Sequence, residues 1–263
     1  MPYTATRDIP YDSDAAATFD ALAQPHDSLL LESADIETKK NLNCLAILKA
    51  ALRVTCHGHR VEVRALTNAG EVLLPPLRDR FRHRLVSRET TTAVFEFPPS
   101  AEPDERQRLL AESTADILRF FQLEATYSSP LLPFLGGGFA YDYLATFEDL
   151  PEVKPGSNSY PDYEFLVAQT VLEVDHLQRT ARLEGWDIDE DHLKAELDSL
   201  ATRPETPRPT TPQRSKIRAV ADADDATFRA DVEKLQRNIH AGDIYQVVPL
   251  SLIHISEPTR LGM

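Results

Sequence analysis

Apolar positions recur along this chain in two rhythms: strand-like alternation through its first part and a helical spacing near its end, separated by proline-rich and polar stretches. A short amphipathic helix is predicted over Asp14 to Ala23, followed by a strand over Ser28 to Leu31. From Leu45 to Leu66 the residues alternate as strands. His57-Gly58-His59 forms the tip of a hairpin in which Gly58 takes a positive φ. Asn68-Ala69-Gly70 reads as a turn. Glu71 to Arg84 has helical character, with Pro75 and Pro76 placing its start after themselves. Ala93 to Phe97 reads as a further strand. Residues 104 to 123 read as one helix, with Leu109, Leu110, Ile117, Leu118 and Phe121 on or near one face.

Pro130 and Pro133 interrupt the chain before a glycine block. Tyr163 to Val174 is a long apolar run that pairs with Thr180 to Gly185 across the turn at 175–179, and Asp189 to Leu200 reads as a polar surface helix. Thr202 to Gln213 holds four prolines among charged and hydroxyl residues, the composition of an extended linker and the clearest domain boundary. Beyond it, Phe228, Val232, Leu235 and Ile239 mark one face of a helix that Gly242 stops. Ile244 to Val248 is β-branched and aromatic with one polar member, and reads as a strand buried on both faces.

Lys and Arg total 28 against 42 Asp and Glu, a net charge of −14 that argues against a nucleic-acid groove or an anionic membrane surface. Nothing in Met1 to Pro10 resembles a signal peptide, and no apolar stretch reaches membrane-spanning length, so a cytoplasmic protein is expected. Cys44 and Cys56 are too few for a disulfide framework and read as buried thiols. Cys56, His57 and His59 lie at a hairpin tip rather than at zinc spacing.

Three groups carry candidate chemistry. Leu29-Leu30-Leu31-Glu32-Ser33 ends an apolar strand with a carboxylate and a hydroxyl, which can hold an ammonium group or can cap a turn. Gly136-Gly137-Gly138 before Phe139, Ala140, Tyr141 and Asp142 lacks the spacing of a phosphate loop and reads as a place of close backbone approach. Gln246, between Tyr245 and Val247, needs a hydrogen-bond partner whether its role is structural or chemical.

Three blocks, "LLLESADIETK" at 29–39, "GGFAYDYLATFEDLP" at 137–151 and "FRADVEKLQRNIHAGDIYQVVP" at 228–249, together resemble the large, chorismate-using subunit of anthranilate synthase, component I. The resemblance implies an α+β fold: a regulatory N-terminal region at 8–201, a linker at 202–220, and at 221–249 the first helix and strand of a two-layer chorismate-binding core. It further implies an enzyme that combines chorismate with ammonia, supplied from glutamine by an amidotransferase subunit, to give anthranilate and pyruvate for tryptophan biosynthesis. Leu31, Glu32 and Ser33 map onto the L-tryptophan feedback site. A basic position of some relatives falls on Asn43, which brings no charge.

Gln246 maps near the reacting centre, where water-adding members of the superfamily carry a lysine. Ammonia is nucleophilic when neutral and needs no such base. The family's Mg2+ ligands lie beyond Pro249, so no metal ligand is expected here and this chain alone is expected to be inactive. Residues 250–263 resemble a translated sequencing adapter, although Leu250, Leu252 and Ile255 partly alternate with Ser251, His254 and Ser256 as an edge strand would. Two other readings are a folate-branch aminodeoxychorismate synthase and a stand-alone amino-acid-binding regulatory module.

Overall fold

The computed structural model describes residues 2–34, 41–99, 102, 104–148, 160–202, 218–249 and 253–256. Contacts divide the chain into two units, Met1–Thr206 and Pro207–Met263. In the first, the chain runs through β1 (Tyr3–Ile9), α1 (Ala15–Leu22), β2 (Leu29–Ala34), β3 (Asn41–His57) and β4 (Arg60–Ala65). It continues with α2 (Asn68–Glu71), α3 (Leu74–Arg80), β5 (Leu85–Arg88), β6 (Thr92–Glu96), α4 (Glu105–Leu110) and α5 (Asp116–Leu123). Then come β7 (Leu135–Phe139), a 3-10 helix (Tyr141–Thr146), β8 (Tyr163–Asp175), β9 (Thr180–Asp187) and α6 (Glu190–Ala201).

The strands make one mixed-length antiparallel sheet in the order β1-β9-β8-β3-β4-β6-β5, with β2 added to β3 and β7 added to β8. The long strands β3 and β8 form its spine. The early part of β3 lies between β2 and the late part of β8, and its late part lies between β4 and the early part of β8. Register shifts between Ile47 and Leu52 separate these two zones, the local kink expected of β-bulges.

Strand alternation sends Ala46 and Leu48 into one core and Ile47 into another. The first of these cores is covered by α1 and α6 through Leu22, Leu193 and Leu197; burying each leucine contributes about 1.5–3 kcal/mol. The second is covered by α2, α3 and α5 through Ala69, Leu77, Ile117 and Phe121, and it contains the only tryptophan, Trp186, stacked on Tyr127 at 4.5 Å.

The anticipated hairpin is present, with Gly58 at φ +58° between β3 and β4, and the β8–β9 hairpin pairs as the apolar run suggested. Cys44 and Cys56 are buried free thiols. Asp14 and Asp189 cap α1 and α6 by accepting backbone hydrogen bonds.

Several expectations need correction. Asn68-Ala69-Gly70 is a helical turn capped by Thr67 rather than an open turn. Pro75 and Pro76 lie inside the first turn of α3 instead of preceding it, because N–H groups there have no intrahelical acceptor to lose. The single helix expected over 104–123 is two, α4 and α5. Ser113 donates its N–H to Asp116 Oδ2 at 2.7 Å, and buried Tyr163 donates its hydroxyl to the Thr114 carbonyl at 2.7 Å, which holds the chain out of helix between them. Leu110 is consequently exposed, whereas Ile117, Leu118 and Phe121 are buried. Strands β1 and β5 were not anticipated.

The second unit contains β10 (Arg218–Ala221), α7 (Asp225–Ala241) and β11 (Ile253–Ser256), with β10 and β11 antiparallel. Asp224 caps α7 and Gly242, at φ +81°, ends it in the left-handed conformation. The expected strand at 244–248 does not form: no described residue supplies it with a ladder, and Tyr245 is 97% exposed. Most of the expected linker, 203–217, lies outside the described residues. Of the segment expected to be foreign, 253–256 form β11 and the remainder lies outside them. No helix among the described residues is long and apolar enough to cross a membrane.

Candidate functional site

β2 carries Leu31, Glu32 and Ser33 along the outer edge of β3, opposite Leu45, Cys44 and Asn43. Alternation puts Leu31 and Ser33 on one side of the strand and Glu32 on the other, beside the buried Cys44. Burial first, and the Glu32 carboxylate second, push the Cys44 thiol up to about 11. Ser33 Oγ donates to the Asn43 carbonyl at 3.2 Å and accepts from the Asn43 N–H at 3.3 Å, just before a bulge at Ser33 and Ala34.

The fold therefore sets Ser33 against Asn43 on one face of an exposed end of the sheet and Glu32 on the opposite face. Leu31 is 47% exposed there, an apolar side chain on the same face as the Ser33 hydroxyl. A carboxylate can hold an ammonium and Leu31 can cover part of an apolar body, here from opposite faces of the edge strand β2, while Asn43 brings no positive charge. Lys39 and Lys40 lie outside the described residues.

Gln246 belongs to the second unit, in the irregular stretch after Gly242, and is exposed rather than buried in a strand. The glycine block forms β7, and the aromatic residues that follow pack on one another: Tyr143 lies 5.5 Å from Tyr163 and 5.0 Å from Phe139, ring centre to ring centre. Tyr141 and Asp142 are exposed.

A second constellation was not read from the sequence. Lys49, Thr170, Gln169, Asp187, His192 and Glu196 converge between the sheet and α6. Lys49 Nζ donates to Glu196 at 2.7 Å, His192 Nδ1 lies 2.9 Å from Asp187 Oδ2, and Gln169 Nε2 donates to the same oxygen at 3.1 Å. The signal available was a lone lysine inside the apolar run 44–52, together with His192 and Glu196 one helical turn apart. This is the only group among the described residues with three metal-ligating side chains in reach of one another. Its histidine nitrogen and adjacent ammonium do not suit magnesium, which prefers an all-oxygen octahedron.

Residues 84–255 match the family of chorismate binding enzymes, and the chain belongs to that family. Its relatives narrow the class. The chain is 35% identical to anthranilate synthase component 1 of Vibrio cholerae over 97% of its own length and 51% of the relative's. It is 37% identical to the component 1 of Vibrio parahaemolyticus over 97% and 49%, and 36% identical to that of Salmonella typhimurium over 98% and 52%. The chain thus spans about half the length of the curated relatives it matches. A solved structure of anthranilate synthase component I from Streptococcus pneumoniae aligns with 91% of this chain and 46% of that one, at 15% identity and a TM-score of 0.48.

Proposed function

We propose that this chain is the leading half of an anthranilate synthase component I, with a regulatory edge at Leu31, Glu32 and Ser33 and the opening elements of the chorismate-binding core at 221–249. The observation that carries this reading is the identity of 35–37% to component 1 proteins over nearly the whole chain. In the reaction, ammonia adds to the chorismate ring and the ring hydroxyl departs as water. Loss of the enolpyruvyl side chain as pyruvate then leaves the aromatic anthranilate. Ammonia would come from glutamine through a partner amidotransferase subunit. Magnesium would be held by residues outside this chain and would polarise the substrate.

Gln246 is assigned a place beside the reacting centre. Its amide can donate and accept hydrogen bonds without removing a proton, which suits neutral ammonia as the nucleophile. At the β2 edge, Glu32 would accept the ammonium of L-tryptophan and Ser33 would bond its polar end, making the protein a feedback-controlled enzyme of the cytoplasm.

The test is an anthranilate fluorescence assay with chorismate, ammonium and magnesium. The full-length product of the gene that encodes these residues is expected to form anthranilate and to be inhibited by L-tryptophan. The 263-residue chain by itself is expected to form none. Production of aminodeoxychorismate instead of anthranilate by the full-length protein would refute the assignment.

A further inference from the structure

Between Ala46 and Leu52, β3 is apolar and fully buried except at Lys49. Register shifts on both sides of Lys49 break the alternation there and set it opposite Thr170. An unpaired charge at such a position would be costly, so the fold surrounds it with polar partners. Glu196 takes Lys49 on Oε2 at 2.7 Å, and Thr170 reaches Glu196 Oε1 only at 3.4 Å. A turn earlier on α6, His192 meets Asp187.

We propose that Asp187, His192 and Glu196 form a site for a divalent transition-metal ion of the zinc type, with Lys49 as the built-in rival for Glu196. Their ligand atoms all lie within 4.8 Å of one another. Asp187 is oriented in advance: its Oδ1 accepts the N–H groups of Ile188 at 2.6 Å and Asp189 at 3.3 Å, which aims Oδ2 at His192 Nδ1. Gln169, itself held by Thr67 at 2.7 Å, supports that oxygen from the sheet side. Outer hydrogen bonds of this kind fix the direction of metal ligands.

A tetrahedral zinc with bonds of about 2.0 Å spaces its ligands about 3.3 Å apart, so the 2.9 Å His192–Asp187 contact needs to open only slightly. One nitrogen and two carboxylates suit zinc or cobalt. With Lys49 displaced from Glu196, the two carboxylates carry the two negative charges that a dication would neutralise. Access is open on both flanks: a cavity of about 500 Å³ is lined by Lys49, Gln169, Asp187 and His192, and one of about 790 Å³ by Lys49, His192 and Glu196. A metal there would leave a coordination position for water and would clamp α6 onto β9.

The full 263-residue chain, stripped with chelator, would be titrated with Zn2+ by calorimetry and with Co2+ by visible absorption, and its melting followed with and without Zn2+. One equivalent of metal is expected, with tetrahedral Co2+ bands and a raised melting temperature. His192→Ala and Glu196→Gln should each weaken binding about ten-fold or more. Lys49→Met should tighten it, because the competing ammonium is gone. His192 is 60% exposed, so its alanine variant keeps the fold, and the rise in melting temperature on adding Zn2+ is read against that variant's own metal-free value. Absence of saturable binding, or unchanged affinity in both His192→Ala and Glu196→Gln, overturns the site. Weakened binding in Lys49→Met overturns the rivalry.

Discussion

Gly137 lies flush against Glu164: a Cβ on Gly137 would stand 2.1 Å from the Glu164 carbonyl oxygen. The contact is backbone to backbone across the β7–β8 ladder, where Gly137 pairs with Phe165, so neither side can yield by changing rotamer. A Cβ on Gly138, one residue on, would meet nothing within 4 Å. Gly137→Ala should therefore destabilise the first unit by about 3 kcal/mol, the upper end for overpacking, and Gly138→Ala by well under about 1 kcal/mol. Urea titration followed by Trp186 fluorescence separates the two. Equal midpoints for the two variants would contradict the close approach.

The Ser33 hydroxyl has one task in the fold and a second, proposed one at the effector edge. It already exchanges two hydrogen bonds with the Asn43 backbone, so removing it should cost stability as well as any effector contact. Ser33→Ala is expected to lower the stability of this chain by about 0.5–1.5 kcal/mol, the ordinary net worth of a hydrogen bond at an exposed site. In the full-length protein it should also reduce inhibition by L-tryptophan. Asn43→Lys should strengthen that inhibition by adding a charge for the carboxylate. Inhibition curves of the two variants that overlay the parent would refute the proposed effector role of this edge.

Much of the fold was legible where local chemistry and tertiary packing agree. The His57-Gly58-His59 tip and the stop at Gly242 each follow from a residue type at a position that demands it. The failures came where a distant partner decides. β1 shows little apolar alternation because it forms on β9, far away in sequence. The helix over 104–123 is divided by the hydroxyl of Tyr163, a residue read as part of a strand. The strand at 244–248 lacks a ladder, which no local propensity can replace.

The site was half legible for the same reason. Glu32 and Ser33 stood out as polar groups at the end of an apolar run. Their facing of Cys44 and Asn43 depends on strand register, and the exposure of Lys49 to α6 depends on a bulge. Neither is encoded in spacing alone.

Burial raises both thiols, and the two should be silent at neutral pH. Cys44 is pushed up to about 11 by burial and then by Glu32; Cys56 is pushed up to about 12, by burial before the influence of Asp162. At pH 8 roughly one thousandth of Cys44 or less is then thiolate, and neither should react with a disulfide reagent until urea unfolds the chain. Folded values above an ordinary 9.0 mean that the folded state keeps protons the unfolded state gives up. The stabilisation is present in full below pH 9 and is lost as pH climbs through about 11 to 12. Replacing both cysteines by alanine should flatten this part of the alkaline stability curve. Rapid labelling of either thiol in the native chain at pH 8 would show that the cores are less closed than the packing implies.

Tyr163 gives the sharpest test of why the chain bends between α4 and α5. Its ring is fully buried among Tyr143, Phe139 and Phe165, and its hydroxyl reaches the Thr114 carbonyl at 2.7 Å, while the Thr114 hydroxyl meets Tyr143 at 2.9 Å. Tyr163→Phe keeps the packing and removes the bond to Thr114, leaving the carbonyl of a buried residue without this donor. The expected cost is about 1–3 kcal/mol, set by the unsatisfied acceptor more than by the lost bond itself. Helix content should rise slightly, since the segment at 111–115 is released to continue α4 into α5. Urea midpoints and far-ultraviolet circular dichroism measure the two effects together. If the variant is as stable as the parent and no more helical, the tyrosine hydroxyl is a bystander and the interruption arises from the Ser113–Asp116 bond alone.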